Sequence, residues 1–386
     1  MTASKCANTC TEIVLSNPRR RRGSLIAEPE KHPFFELRVV PGKGYGLVAT
    51  QHIKRGTRNL EESPILALLA GANEQRDLSE HVERLTQAQS NQFFGLCHCA
   101  EDVKKPTPLH IRLRLQGRQY KGEALDAATE DGMKTHAIFK ANAVKMGSKG
   151  QYGTGVFALH SRINHSCLPN VHSAFNATLG KQTLHAIREI HEGEELVRSY
   201  VTEVGTAKQR AWALEHTDVD CECEACEGPS ASAHEARRQR ISELQRAIAI
   251  YENKRNDSGS VRVPRNPAEA LTVAENLVVL FKEEGLVGMN LADAYRDCAN
   301  YSLQQGDIAK AIDYAKKELE VERYCIGTET AHLKEDMEGA ECRIEHLRAT
   351  VEKDAVKYRA SEKRHKKEEK RQEKKAAKKA GKKGGR

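Results

Sequence analysis

The 386-residue sequence predicts an α+β protein, with a β-rich N-terminal half that contains a helical insertion and an all-α C-terminal region. Two stretches of the N-terminal half, residues 32–64 and 155–200, alternate short β-prone runs with glycine turns, which is typical of strands. The C-terminal region has few glycines and carries apolar residues at helical spacing. The segments with this helical periodicity are 234–253, 267–284, 289–305 and 307–323.

The segment between the two β-rich stretches favours helix. A helical stripe runs through residues 72–96 and consists of Leu78, Val82, Leu85, Ala88 and Phe93. Shorter helical and irregular pieces follow, so we assign a helical insertion to about residues 65–150. Residues 1–31 predict a flexible N-terminal arm.

The composition changes at "EGPSASA" (227–233), which predicts a domain boundary near residue 230. Within the helical region, "QGDIAKAIDYAKKEL" (305–319) has spacings like those of a tetratricopeptide (TPR) helix pair. A single such unit leaves a TPR-like array and a generic helical bundle equally open. The cysteines of these helices predict buried, small apolar side chains, and they are Cys298, Cys325 and Cys342.

The net charge of +8 is concentrated at the C-terminus. Residues 357–386 contain 15 Lys or Arg against 4 Glu, a charge of +11, so the rest of the chain carries −3. This basic tail has almost no apolar residues, which predicts a frayed helix or a disordered segment. It is either a solubilising tail or a contact for chromatin or another polyanion, and like Arg19–Arg22 it resembles a nuclear signal.

Composition also excludes several classes of protein. No apolar run approaches the ~20 residues that a membrane-spanning helix needs, and the N-terminus lacks the apolar block of a signal peptide. We therefore expect a location in the nucleus, the cytoplasm or both, and no membrane partner. The 11 cysteines bunch at 97–99 and 221–226, which without an export signal indicates metal ligation more than a disulfide framework.

Four short motifs carry chemically capable residues. "INHSCLPN" (163–170) places an amide, an imidazole, a hydroxyl and a thiol in succession, although this composition also suits a surface turn. "GKGYG" (42–46) either lets a ligand approach the backbone closely or simply closes a hairpin. "GEELVRSY" (193–200) ends a strand on a tyrosine, which is also consistent with a rim residue. "CECEAC" (221–226) supplies three thiols, and a tetrahedral zinc site needs a fourth ligand from elsewhere.

In their order and spacing, these motifs resemble those of the SET-domain protein-lysine methyltransferases, over residues 32–227. The first, extended to "GKGYGLVATQHIKRGT", is similar to the family's opening strand and cofactor loop, and "SRINHSCLPN" to its signature octapeptide. "GEELVRSY" resembles the catalytic tyrosine motif, and "CECEAC" the post-SET zinc motif. The layout is similar to the SET–MYND type and its fungal relatives, without a recognisable MYND finger. Only Cys97–Cys99 cluster in the insertion, and that run predicts helix packing rather than a metal site.

The resemblance implies two bound species, S-adenosylmethionine as methyl donor and Zn²⁺. Tyr200 is the implied catalytic residue, and Asn142 would contact the amino acid end of the donor. The full set of implied donor-binding residues is Lys43, Gly44, Tyr45, Gly46, Asn142, Asn164 and His165. The implied zinc ligands are Cys167, Cys221, Cys223 and Cys226.

The resemblance also implies a division of the chain and a substrate. We expect a β-rich SET domain with its pseudoknot, a post-SET zinc motif and a helical C-terminal domain, between a flexible arm and a basic tail. The expected substrate is a lysine of a protein, and we expect a monomer. The corresponding ranges are 1–31 (arm), 32–207 (SET), 208–228 (zinc motif), 232–350 (helical domain) and 351–386 (tail).

Two alternatives from other classes stay open. The family usually has two aromatic residues before the zinc motif, lining the lysine channel and stacking on the donor's adenine, where this chain has Thr217 and Val219. The chain is therefore either an active S-adenosylmethionine-dependent protein-lysine N-methyltransferase or a weakly active SET-domain scaffold. A zinc-dependent nucleic-acid binder would explain the tail and the cysteines, but it leaves the glycine turn and the octapeptide unexplained.

Overall fold

The computed structural model confirms the α+β class. It describes residues 32–72, 74–98, 111, 115, 117–118, 120–147, 150–201, 204–217, 219–254, 261–329 and 339–353, with isolated positions between 361 and 368. The predicted N-terminal arm, Cys99 and most of the basic tail lie outside these described residues.

The strands of the N-terminal half form small sheets rather than one large one. The described sheets have the strand orders β1-β2-β10-β7, β3-β9-β8 and β4-β6-β5. The strands are β1 (Phe35–Val40), β2 (Gly44–Ala49), β3 (Arg58–Glu62), β4 (Leu66–Leu68), β5 (Val144–Lys145), β6 (Thr154–Val156), β7 (Asn164–His165), β8 (Val171–Asn176), β9 (Lys181–Ala186) and β10 (Glu195–Arg198).

Helices fill the insertion and the C-terminal region. The insertion contains α1 (Glu74–Glu83), α2 (Gln87–Phe94) and α3 (Gly122–Asn142). After β10 the chain forms α4 (Ala207–Leu214), α5 (Ala231–Asn253), α6 (Pro267–Glu283), α7 (Met289–Gln304) and α8 (Ile308–Ile326). Residues 340–353 are also helical. Among the described residues, none of the helices combines the length and the apolar character needed to cross a bilayer.

Local sequence signals explain where several helices begin. The side chain of Asn266 accepts the Glu269 amide at the start of α6, and proline occupies the first turn. Asp307 caps α8 in the same way, by accepting the Lys310 amide. These caps satisfy amide groups that a helix leaves without an internal partner.

The predicted stripe through residues 72–96 is correct in part. Leu78 and Phe93 are fully buried, but Ala88 is exposed. The helix is interrupted, because Thr86 starts α2 with a reciprocal capping box to Gln89. The buried face of α2 is set independently of the buried face of α1, so one continuous helical periodicity does not predict the buried residues of both helices.

Besides a core in the helical insertion, the described residues form one hydrophobic core in the β-rich half and another in the C-terminal region. The first lies between the sheets and includes Leu47, Ile163 and Leu196. The second lies within the C-terminal helices, and it also takes in Ile187 and Val204 from the β-rich half. The helical region is therefore packed onto the sheets rather than tethered beside them. Cys298 and Cys325 are fully buried, whereas Cys342 is only half-buried.

The hairpin of β1 and β2 places the glycine turn beside the octapeptide. Gly42 and Gly44 have φ angles of 76° and 77°, a left-handed conformation that glycine adopts without strain. Strand β2 pairs with β10, which in turn pairs in parallel with β7. Three of the four motifs therefore meet in one four-stranded sheet.

Two histidines on neighbouring strands make the fold sensitive to acid. His172 of β8 and His185 of β9 are cross-strand partners, and burial lowers the pKa of each to about 4. The ring of His185 also lies against the end of α8, since a Cβ placed on Gly327 would come within 3.1 Å of its Nε2. Protonation of either ring would introduce a charge between the sheet and the helical region.

We expect the free energy of unfolding to decrease as the pH falls from about 6.5 towards 4. In this window the unfolded histidines bind protons and the folded ones do not, so proton uptake favours the unfolded state. Above pH 6.5 both states are neutral and this dependence disappears. His185 alone should account for about 2 kcal/mol between pH 7 and pH 5, since the slope approaches ~1.4 kcal/mol per pH unit below pH 6.5.

Urea unfolding at pH 7 and pH 5 measures this effect, with His185→Gln as the comparison. The variant should lose less stability on acidification than the wild type. Equal losses in the two proteins would contradict the assignment.

Candidate donor and metal site

The octapeptide lies inside the protein, so the surface-turn alternative is wrong. Its backbone continues the pairing with β10, because the amides of Ser166 and Asn170 donate to Arg198 O and Val197 O, each at 3.0 Å. Asn170 is fully buried, and its side chain accepts from the Val197 amide at 2.8 Å and donates to Glu195 O at 2.8 Å. These bonds fix the segment against β10 on both sides of Cys167.

One side of the octapeptide faces the glycine turn. The Asn164 side chain donates to Tyr45 O at 3.2 Å and to Glu195 Oε1 at 2.7 Å. The second carboxylate oxygen of Glu195 lies 2.8 Å from Lys43 Nζ. Gly46 is required here, since a Cβ at that position would lie 2.7 Å from Glu195 Oε1 and 2.9 Å from Asn164 Nδ2. The structure thus brings the predicted residues Lys43 to Gly46 together with Asn164.

The predicted catalytic tyrosine lies directly beside the octapeptide. The Tyr200 hydroxyl donates to Ile163 O at 2.7 Å, and the Tyr200 amide donates to His165 Nδ1 at 3.0 Å. The two rings are 5.3 Å apart. Burial, partly offset by the Cys223 thiol, lowers the pKa of His165 to about 4. The ring is therefore neutral at pH 7, and its Nδ1 is an acceptor, so its proton resides on Nε2.

The other side of the octapeptide faces the three clustered cysteines. The sulfur atoms of Cys167, Cys221, Cys223 and Cys226 all lie within 4.8 Å of one another. Cys167 Sγ is 3.8 Å from Cys221 Sγ and 3.6 Å from Cys226 Sγ. Tetrahedral zinc with Zn–S bonds of ~2.3 Å places its sulfur ligands roughly 3.8 Å apart, so the spacing fits zinc.

The electrostatics of the four thiols also suit a cation. Hydrogen bonds from the neighbouring thiols raise the pKa of Cys167 and lower that of Cys223, and the bond to Cys167 helps to lower the pKa of Cys226 to about 6. Some thiols of the group therefore ionise at the expense of others. A divalent cation would remove this competition, because each thiolate would then face a positive charge.

A buried arginine supports an anionic cluster independently. Arg210 of α4 is only 1% exposed and donates to Gly205 O at 2.7 Å, to Ala225 O at 3.1 Å and to Cys226 Sγ at 3.4 Å. The carboxylate of Glu235 is farther away, at 3.9 Å. A buried guanidinium is costly without a nearby anion, and the thiolates supply one.

Asn142 occupies a different position from the other predicted donor-binding residues. Its amide donates to Cys97 O at 2.7 Å and to Ile138 O at 2.8 Å, which fastens the end of α3 to the segment after α2. Its predicted contact with the donor stays a prediction. His98 is buried, but residues 97 and 98 lie after α2 and not in a helix, so the helix packing predicted for that run stays a prediction.

Two residues near Tyr200 and the octapeptide were not anticipated from the sequence. Glu195 links Lys43 and Asn164, and its position in "GEEL" gave no sign of this. The guanidinium carbon of Arg198 lies 4.4 Å from the centre of the Tyr200 ring, and burial lowers the pKa of this arginine. The position of this arginine, directly after the buried pair Leu196 and Val197, was the available signal.

Comparison with known proteins agrees with this geometry. Residues 44–201 match the SET domain family. Histone-lysine N-methyltransferase set5 of Schizosaccharomyces pombe is 28% identical over 296 residues, 75% of this chain and 78% of that protein. N-lysine methyltransferase SMYD2 of Sus scrofa is 28% identical over 125 residues, 32% of this chain and 27% of that protein.

A human relative matches over a shorter region. Protein-lysine N-methyltransferase SMYD4 of Homo sapiens is 27% identical over 112 residues, which is 28% of this chain and 13% of that protein. The match thus spans most of set5 but about a quarter or less of the two SMYD relatives. These matches show that residues 44–201 form a SET domain and that the chain is similar to a lysine methyltransferase of this type over 75% of its length.

Proposed function

We propose that this chain is an S-adenosylmethionine-dependent N-methyltransferase that acts on a lysine of a histone or another protein. The pairing of β7 with β10 carries the proposal, because it brings Asn164 to the glycine turn and Tyr200 to the octapeptide. The names of the relatives support the reaction class, since set5 is a histone-lysine and SMYD2 an N-lysine methyltransferase.

The reaction mainly requires alignment. S-adenosylmethionine supplies a methyl group on a sulfonium, which is a good leaving group, so the protein contributes orientation and exclusion of water. The lysine must arrive as a neutral amine, although a free lysine has a pKa of about 10.4. The half-buried Arg198 guanidinium beside Tyr200 disfavours an ammonium there, which supports entry of the neutral form.

Each residue of the site then has a distinct task. The Tyr200 hydroxyl donates its proton to Ile163 O, and we propose that its oxygen accepts an N–H of the amine and directs the lone pair. Asn164, His165 and the backbone from Lys43 to Gly46 would hold the donor. Asn142 would reach its amino acid end after a rearrangement of its present bonds to Cys97 and Ile138.

The proposal also covers the metal, the domain boundaries and the basic tail. Zn²⁺ bound by the four cysteines would fix the segment 221–226 to the octapeptide as a post-SET motif. The boundaries predicted near residues 207, 228 and 350 remain part of the proposal, as do the monomeric state and a nuclear or cytoplasmic location. The basic tail would contact chromatin or another polyanion.

A weakly active scaffold is the second candidate. It is favoured by Thr217 and Val219, which replace the two aromatic residues that the resemblance leads us to expect. The Thr217 hydroxyl donates to Leu214 O at 2.7 Å, so this side chain closes the end of α4. Val219 is half-buried and offers no flat surface for an adenine ring.

Incubation of the purified chain with isotopically labelled S-adenosylmethionine, histones and a cell lysate tests the reaction. We expect labelled lysines, mapped by mass spectrometry, and at least about tenfold slower labelling by Tyr200→Phe. Tenfold corresponds to the loss of one positioning contact of ~1.4 kcal/mol. The wild-type rate should separate the two candidates, because a weakly active scaffold would label lysines little faster than Tyr200→Phe does.

Tyr251→Phe is the matched control, since Tyr251 lies in α5 against Tyr301. It should label at the wild-type rate. A Tyr200→Phe protein that is folded and labels as fast as the control would refute the catalytic assignment.

We also expect one zinc ion per chain. Cys223→Ser should lower the zinc content because a hydroxyl is a poor substitute for a thiolate ligand. Cys342→Ser, at a half-buried cysteine of the helical region, should not. Elemental analysis of the folded proteins measures the ratio. Zinc-free wild-type protein, or equal loss in the two variants, would contradict the metal site.

A further inference from the structure

A buried carboxylate in the helical region contacts three basic side chains. Glu284, directly after α6, has a fully buried side chain. It accepts from Arg238 Nε at 2.6 Å and from Arg237 Nε at 2.7 Å, and its Oε2 lies 3.0 Å from His234 Nδ1. Arg238, Arg237 and His234 all belong to α5, so this cluster joins the end of α6 to α5. A buried carboxylate needs such partners to remain charged.

One residue of the cluster also contacts the β-rich half of the chain. Arg238 is 2% exposed, and its Nη2 donates to the carbonyl oxygen of Cys167 at 2.6 Å. The same guanidinium therefore binds Glu284 with one nitrogen and the octapeptide with another. Arginine offers each acceptor a separate nitrogen of a fixed planar fork, whereas a lysine would have to bind both from a single nitrogen.

From Cys167 the contacts continue to Tyr200. The Cys167 sulfur lies 3.4 Å from His165 Nε2, and His165 Nδ1 accepts the Tyr200 amide at 3.0 Å. Glu284, Arg238, Cys167, His165 and Tyr200 thus form an unbroken series of contacts from the helical region to the tyrosine. Because each donor and acceptor in it is buried or half-buried, water competes weakly for these bonds.

We propose that Arg238 is a positioning residue, through which the helical region holds the Cys167 segment in the geometry that binds zinc and the methyl donor. Without Arg238 the Cys167 carbonyl would lose its buried charged donor, and the ligand beside it would gain freedom. Mutation of a residue that is hydrogen-bonded to a metal-ligating residue typically lowers metal affinity or activity 10- to 100-fold. The inference rests on the proposed function for both the metal and the donor.

The neighbouring arginine offers a matched control. Arg237 binds the same carboxylate, but its other described contact is with His234 rather than with the octapeptide. Arg238→Gln and Arg237→Gln each remove one of the cations around Glu284, and each leaves the other arginine and His234 in place. The two variants therefore differ in the bond to Cys167 O.

The first measurement is the rate at which a chromogenic chelator takes zinc from each folded protein. We expect Arg238→Gln to release zinc at least about tenfold faster than the wild type, and Arg237→Gln to stay within about twofold. Binding of S-adenosylhomocysteine, measured by calorimetry, should weaken at least about fivefold in Arg238→Gln alone. Circular dichroism confirms that the proteins compared are folded.

Arg238→Lys provides the second variant, in case glutamine prevents folding. Lysine keeps an ion pair with Glu284 but lacks the second nitrogen that holds the Cys167 carbonyl, so zinc release should remain fast. Wild-type rates in Arg238→Lys, or equal rates in the two glutamine variants, would overturn the inference. If the wild type holds no zinc, the metal proposal fails and the S-adenosylhomocysteine affinities decide the inference. A wild type that binds neither zinc nor S-adenosylhomocysteine overturns both.

Discussion

The geometry of the site depends on the short parallel pairing of β7 with β10. Only two residue pairs form it, Asn164 with Val197 and His165 with Arg198. The buried side chain of Asn170 extends it, because the amide satisfies both a donor and an acceptor of β10. Through this contact, residues that are 30 or more positions apart become neighbours. Within the octapeptide, the side-chain amide of Asn164 then faces the glycine turn, and the thiol of Cys167 faces the three clustered cysteines.

Charge is balanced locally around this pairing, at the half-exposed Lys43 as well as at the buried Glu284. Lys43, Glu195 and Asn164 form one neutral set, and Arg238 with Glu284 forms part of another. Arg210 is the exception, because its nearest anion is the thiolate group rather than a carboxylate. Removing a single member of such a set leaves a buried charge without a partner, which costs more than the pair contributes. This balance ties the metal site to the fold of the helical region.

The sequence indicated which residues form the site, but it did not indicate the side chains that support them from other parts of the fold. Spaced glycines, the octapeptide and the clustered thiols have local signatures, and the structure brings most of them together around Cys167 and Asn164. Arg238 has none, since an arginine in an amphipathic helix normally faces water. Its partner lies 71 positions away, and such a contact follows from how α5 packs. The interruption of the stripe at Thr86 was missed for a related reason, because a cap overrides periodicity.

A crystal structure of the zinc-loaded chain with S-adenosylhomocysteine tests the central claim, that one octapeptide serves donor, metal and tyrosine together. We predict the ligand against the Asn164 side chain and the backbone of residues 43–46, with its sulfur facing Tyr200. We predict zinc on the opposite side, bound by Cys167 and the three clustered thiolates. A ligand bound away from Asn164 and Tyr200, or a metal that excludes Cys167, would contradict the account.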